Sequence, residues 1–232
     1  MKLSKTFIAL LLIAGSTTFA KANNEDRHLS GFHAVNVAGS FDVLIKQGSK
    51  ESVVVDAPAD VINYVVTAVE NGTLKIYTKE NSGWKNLFSN KKVIVYVTLK
   101  TVDAISLTGS GDVSFKNGVS ANSLKLSLTG SGDVEGKVTA KNLEANITGS
   151  GDVKVWGHAD NSKVNLTGSG DYSGSELTTN NTIASVGGSG DVSVHASGSL
   201  QARVAGSGDI HYSGNPKDVV KTKSGSGDIS GS

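Results

Sequence analysis

Apolar and polar residues alternate with a period of two along most of this chain. In residues 92–99, Val93, Val95, Val97 and Leu99 share one face, with Ile94, Tyr96 and Thr98 on the other, as in a half-buried β-strand. A second apolar run, 43–45, stops at Gln47-Gly48, and a β-branched run, 52–55, stops at Asp56-Ala57-Pro58. Asn71-Gly72 predicts a two-residue hairpin turn, because both residues tolerate positive φ. The turn joins 65–69 to 74–77 and favours a strand over a short helix for the apolar stretch 61–69. Residues 79–92 are polar around Trp84, Leu87 and Phe88, and read as a loop whose aromatics tuck against the body.

From about residue 101 the pattern becomes periodic on a longer scale. Gly-Ser-Gly-Asp occurs seven times, ending at Asp112, Asp133, Asp152, Asp171, Asp191, Asp209 and Asp228, a period of 18 to 21 residues that marks a stacked repeat. Alignment on the first glycine puts Leu107, Leu128, Ile147, Leu166, Val186, Val204 and Lys223 in one column. Ile105, Leu126, Ala145, Val164, Ala184, Ala202 and Lys221 form a second, and Val113, Val134, Val153, Tyr172, Val192, Ile210 and Ile229 a third. Strand alternation turns all three columns inward, which gives a solenoid core, and the recurrent glycine pairs exclude long helices. Lys221 and Lys223 in core columns mark a terminal coil whose open end is guarded by charge. The predicted fold is all-β: a right-handed, single-stranded parallel β-helix (β-solenoid) with coils of 19–20 residues. Residues 31–100 form less regular N-terminal coils with a hairpin, and 101–232 form the regular coils. Asp42, in Gly39-Ser40-Phe41-Asp42, reads as a degenerate eighth member of the series.

The first residues add a compartment. Lys2 and Lys5 precede an apolar run, 7–14, and Ala20-Lys21-Ala22 fits a small-x-small cleavage site. Residues 1–22 are therefore expected to be a signal peptide, and 23–232 one mature domain, exported to the periplasm, cell surface or medium. No later stretch is apolar and long enough for a transmembrane segment. The chain has no cysteine, which rules out disulfides, thiolate metal sites and Cys nucleophiles. Its 22 basic and 21 acidic residues become 19 and 21 once Lys2, Lys5 and Lys21 are removed, a formal charge of −2 that offers nothing to nucleic acid.

The repeated motif admits three kinds of chemistry. The first is a corner: glycine permits the sharp bend, and Asp bonds local backbone N–H groups in an Asx-type turn. The second is a cation ladder. Seven aspartates about 5 Å apart in successive coils need solvent, N–H donors or cations to offset their repulsion, and calcium suits oxygen ligands. The third is a carboxylate pair of the kind that cleaves polysaccharides. Repetition argues against that, since catalysis needs two acids in unlike environments and these coils look alike. The histidines at 28, 33, 158, 195 and 211 lack metal-ligand spacing, although His195 and His211 are placed to share a face on adjacent coils. Trp84, Phe88, Trp156, Tyr172 and Tyr212 are candidates for a sugar-stacking patch, but sparse aromatics more commonly fill cores.

Gly31-Phe32-His33-Ala34-Val35-Asn36-Val37, Gly39-Ser40-Phe41-Asp42-Val43, Gln47-Gly48, Asn71-Gly72-Thr73-Leu74-Lys75-Ile76 and the Gly-Ser-Gly-Asp-Val series together resemble the putative autotransporter adhesin, head GIN domain family, found mostly in Bacteroidetes. The resemblance runs from about residue 31 to the end. It implies a right-handed single-stranded β-helix in a secreted or cell-envelope location, and it carries no catalytic residues. The expected function is a non-enzymatic adhesin or binding module whose partners are glycans or envelope components, with no cofactor. The alternatives are a calcium-dependent structural module, with the seven aspartates as ligands, and a polysaccharide-active enzyme.

Overall fold

The computed structural model describes residues 22–79 and 91–232. Residues 1–21 of the predicted signal, and Trp84, Leu87 and Phe88, lie outside the described residues. The chain forms β1 (Ala22–Asp26), β2 (Ala34–Gly39), β3 (Asp42–Gln47) and β4 (Ser52–Pro58), then a 3-10 turn at Ile62–Tyr64. It continues through β5 (Val65–Glu70), β6 (Thr73–Thr78), β7 (Ile94–Leu99) and β8 (Ala104–Gly109). Each of the next five strands spans most of a coil: β9 (Asp112–Gly130), β10 (Asp133–Gly149), β11 (Val153–Gly168), β12 (Tyr172–Gly188) and β13 (Val192–Gly206). The stack ends with β14 (Ile210–Ser213), β15 (Asp218–Gly225) and β16 (Ile229–Gly231).

From β8 onward every pairing between coils is parallel, and the register slips only at bulges in the β9–β10, β11–β12 and β12–β13 pairs, which leaves the three predicted columns aligned. Leu128 sits beside Ile147, Ile147 beside Leu166, and Leu166 beside Val186. The three predicted columns are buried along their length except for Lys221 and Lys223, and one continuous core runs from Phe32 to Ile229. Large rings in this core are matched by missing side chains. Phe115 stands opposite Gly136, and Tyr212 opposite Gly231. A Cβ on either glycine would overlap the facing ring. Tyr172 makes its own room by preceding Gly174 on the same face.

The Gly-Ser-Gly corners bond along the stack through their backbone groups. At each step the carbonyl of the first glycine accepts two N–H groups from the next coil, as Gly130 O does from Ser150 N (2.8 Å) and Gly151 N (3.1 Å). Successive corners stack so tightly that a Cβ on Gly132, Gly151, Gly170 or Gly190 would run into the carbonyl oxygen of the coil below. Close approach, more than an unusual dihedral angle, is what makes this second glycine obligatory.

The N-terminal half follows the same register but not chain order. The β2–β3 coil lies directly under the first regular coil, with Gly39 beside Gly109 and Asp42 beside Asp112, so Asp42 is the eighth member of the series. On its other side lies a coil made later in the chain, β6 with β7. The Asn71-Gly72 hairpin forms as predicted, with φ of 51° and 75°. Residues 61–69 split into the 3-10 turn and β5, so both readings of that stretch hold locally. Two antiparallel pairings, β5 on β6 and β4 on β7, close this end, and β1 lies antiparallel on β4. At the other end β15 is exposed throughout. Lys221 Nζ donates to Ile229 O at 3.0 Å and lies 4.8 Å from the Tyr212 ring, so Lys221 leans across the end of the core while Lys223 reaches Asp228.

Candidate functional site

Two polar rails run parallel to the solenoid axis on different walls. The first is the aspartate series. Each carboxylate reaches along the stack rather than around its own turn. Oδ1 of Asp133 accepts the backbone N–H of Asp152 at 3.1 Å. Oδ1 of Asp152, Asp171 and Asp191 accepts from Asp171, Asp191 and Asp209 at 2.8 Å each, and Asp209 accepts from Asp228 at 2.7 Å. Asp112 makes the same contact to Asp133 more weakly, at 3.3 Å. The local Asx turn expected from the motif is thus replaced by a bond between coils. The physical reason is that the corner N–H of the next coil stands closer to an axial side chain than any N–H of its own turn. Asp228, in the last coil described, is held by Lys223 Nζ (3.3 Å) and by the neighbouring Ile229 N–H, which together keep its carboxyl below the usual range. At the opposite end Asp42 pairs with Lys92 at 3.1 Å. A lysine therefore brackets the rail at each end.

Within this rail Asp112 is the carboxyl with the raised pKa. Partial burial is the main cause; the Asp133 N–H works against it, while the charges of Asp133, Asp42 and Glu135 add to it. A shallow groove of about 450 Å³ follows the rail past Asp112, Asp133, Asp152 and Asp171, with Glu135 and Lys154 at its edge. Among the described residues no group of three or more His, Asp or Glu converges to hold a metal ion. The seven candidate aspartates lie in a line, each with one oxygen already engaged.

The second rail has no punctuation in the sequence, because its members are ordinary polar residues at a corner with no glycine signature. Ser123, Asn142, Asn161, Asn181 and Ser199 occupy one register column. Asn142 Nδ2 points to Ser123 Oγ at 3.4 Å, Asn161 Nδ2 donates to Asn142 Oδ1 at 3.0 Å, and Asn181 Nδ2 donates to Asn161 Oδ1 at 3.0 Å. Ser199 Oγ closes the run on Asn181 Oδ1 at 2.9 Å. Beside it Lys125, Glu144, Lys163 and Ile183 form the next outward column. The two columns, with Asp103 and Asn122, line an open groove of about 700 Å³. The signal that finds this rail is alignment of every outward position, not only the columns that flank the motif.

The histidines do not converge. His33 pairs with Asp103 at 3.0 Å, and His158 lies near Thr178 and Asp160. His195 and His211 do share a wall on adjacent coils, but each faces a serine, Ser213 at 3.1 Å and Ser230 at 2.8 Å. Among the described residues the expected aromatic patch does not assemble. Tyr172 is core, Tyr212 packs against the core, and Trp156 is half-buried on a different coil. Tyr172 crosses the interior toward Ser162, and neither hydroxyl has a partner at hydrogen-bond distance; burial pushes the phenol far above the ordinary tyrosine range, with Ser162 pulling the other way. The tyrosines left exposed are Tyr77 and Tyr96, and Tyr96 stands beside exposed Leu44. The alternation of residues 93–99 already points Tyr96 outward.

Coils in register, polar rails on the outside and a largely aliphatic interior define a parallel β-solenoid of about seven turns. The chain belongs to the family described as putative auto-transporter adhesin, head GIN domain, which it matches over residues 31–216. A putative adhesin from Bacteroides fragilis is similar at 27% identity with a TM-score of 0.84, over 91% of this chain and 97% of that one. A putative lipid binding protein from Parabacteroides distasonis is similar at 25% identity and a TM-score of 0.73, over 91% and 96%. A putative adhesin from Parabacteroides merdae, at 19% identity and a TM-score of 0.71 over 91% and 96%, shares the fold. No curated protein matches the chain. Among the described residues no helix is long and apolar enough to cross a membrane.

Proposed function

We propose that this chain is a non-enzymatic binding module of the adhesin type, exported to the cell envelope or surface, where it presents a repetitive face to a repetitive ligand. The observation that carries the reading is the register. Identical polar groups recur about every 4.8 Å along the axis, so a linear partner meets the same chemistry at each step. The family and its adhesin-described relatives support the same class. A non-catalytic role is supported by the uniformity of the aspartates: five of them, from Asp133 to Asp209, hold the same kind of bond at 2.7–3.1 Å. An acid and a base at pH 7 require environments that differ.

The test is a binding screen of the purified mature chain against oligosaccharides and cell-envelope fractions, run in calcium and in EDTA. Saturable binding in both buffers supports the module. Binding or a rise in melting temperature that needs calcium transfers the role to the aspartate rail as a cation ladder. Absence of binding to every fraction removes the proposal.

A further inference from the structure

The groove beside the asparagine rail has a chemistry more specific than a generic polar surface. Asn161 spends one amide hydrogen on Asn142 and one lone pair on Asn181. An amide carries two of each, so one donor and one acceptor per coil are left for a ligand. The ladder holds these groups rigid, so little side-chain freedom is lost when something binds. A sugar hydroxyl, which both donates and accepts, complements such a pair.

The charges in the groove cancel. Lys125 and Lys163 alternate with Glu144 along one column, and Asp103 stands at one end, so two positive groups face two negative ones. Neither a polyanion nor a polycation gains by lying there. Ile183 follows Lys163 in the same column and is 42% exposed, an aliphatic surface among polar neighbours. Apolar contact from the C–H face of a pyranose is the natural use for it. The volume, about 700 Å³, lies in the range of formed ligand sites.

We infer that this groove binds an extended neutral oligosaccharide lying along the solenoid axis, its hydroxyl or acetamido groups on Asn142, Asn161 and Asn181 and a sugar face on Ile183. The inference rests on the binding-module reading and names its site and ligand class. The aspartate rail is the weaker place for such a ligand, since its charges are of one sign and half of its oxygens already hold backbone N–H groups.

Titration calorimetry with chitohexaose and cellohexaose tests it, with polygalacturonate as the anionic control. At least one of the neutral hexasaccharides should bind, and polygalacturonate should not. Ile183→Asp and Lys163→Glu change exposed groups outside the core and should each weaken binding tenfold or more with unchanged circular dichroism. Asp152→Asn, on the other rail, should leave binding unchanged. Hexasaccharide binding that survives both groove variants overturns the assignment, as does preference for polygalacturonate. Binding to envelope fractions that persists in the groove variants overturns the groove while leaving the binding module standing. Loss of every kind of binding in the unaltered chain removes both.

Discussion

Asp191 donates its backbone N–H to Oδ1 of Asp171, the residue at the same corner one coil earlier, across 2.8 Å. The bond turns a row of like charges into part of the stacking interaction. Asp171→Ala deletes the acceptor and leaves that N–H to water, and should cost about 1 kcal/mol in urea unfolding. Asp171→Asn keeps a carbonyl acceptor and should cost less than the alanine. Equal losses for both would show that the hydrogen bond contributes nothing.

Asp112 sits in a partly buried place on the rail. Its folded pKa is raised, chiefly by burial and then by surrounding carboxylates. A carboxyl raised on folding contributes stability in its protonated form, below its unfolded pKa near 4, and that contribution is lost as pH rises through the folded value. Asp112→Asn should therefore raise the melting temperature at pH 7 and make little difference near pH 3. A gain of the same size at both values would contradict this account.

The corner glycines should separate into two classes. Gly151→Ala drives a Cβ into the Gly132 carbonyl and should destabilise by about 3 kcal/mol or more, since rigid backbone lies on both sides. Gly187 occupies an outward position with nothing nearer than 3.8 Å to a built Cβ, and Gly187→Ala should be neutral or stabilise by about 0.4–1 kcal/mol through the unfolded chain. Denaturant titration of the two variants side by side is the check.

Tyr172 predicts an alkaline signature. Its phenol is fully buried and its pKa lies above the ordinary range. The unfolded chain ionises near pH 10 while the folded one stays neutral, so stability is intact below pH 10 and falls above it by about 1.4 kcal/mol per pH unit. Tyr172→Phe removes this component. The difference in unfolding free energy between the two proteins should shift in favour of the Phe variant as pH rises from 9 to 11, and a pH-independent difference would refute the placement of the ring.

Lys221 and Lys223 hold the positions that are Ala202 and Val204 one coil earlier. Replacing both, Lys221→Ala with Lys223→Val, continues the columns to an unguarded edge and removes the contacts to Ile229 O and Asp228. The double variant should self-associate in sedimentation velocity at concentrations where the unaltered chain does not.

Most of the architecture was legible because a solenoid writes its third dimension along the chain. Once Leu128 and Ile147 align by the motif, they also touch in space. Val93 to Leu99 and the Asn71-Gly72 turn were legible for a different reason: alternation and turn chemistry act over a few residues. What escaped was long-range or unpunctuated. The placement of β2–β3 between strands formed later depends on pairings such as Ala34 with Ala104, which no local pattern reports. The direction of the aspartate side chains depends on where the next coil's N–H lies, a fact about the neighbour rather than the turn. The Asn142–Asn161–Asn181 column follows the same period, but asparagine at a corner without a recurrent glycine pair is common enough in loops to carry no signal of its own.

The two ends of the stack differ in kind, and the difference gives the molecule a direction of lengthening. At the N-terminal end the two edge strands run in opposite senses, β5 against the coils and β1, antiparallel on β4, with them, so a further coil could not pair in parallel with both. At the β15 end the edge is parallel, and duplication of one unit of about nineteen residues before the lysine-bearing coil would leave every existing register intact. The family match ends at residue 216, two residues before β15 begins, so β15 and β16 lie beyond it at this same end. Axial length, and with it the number of steps offered to a linear partner, is a quantity this fold can change from one side alone.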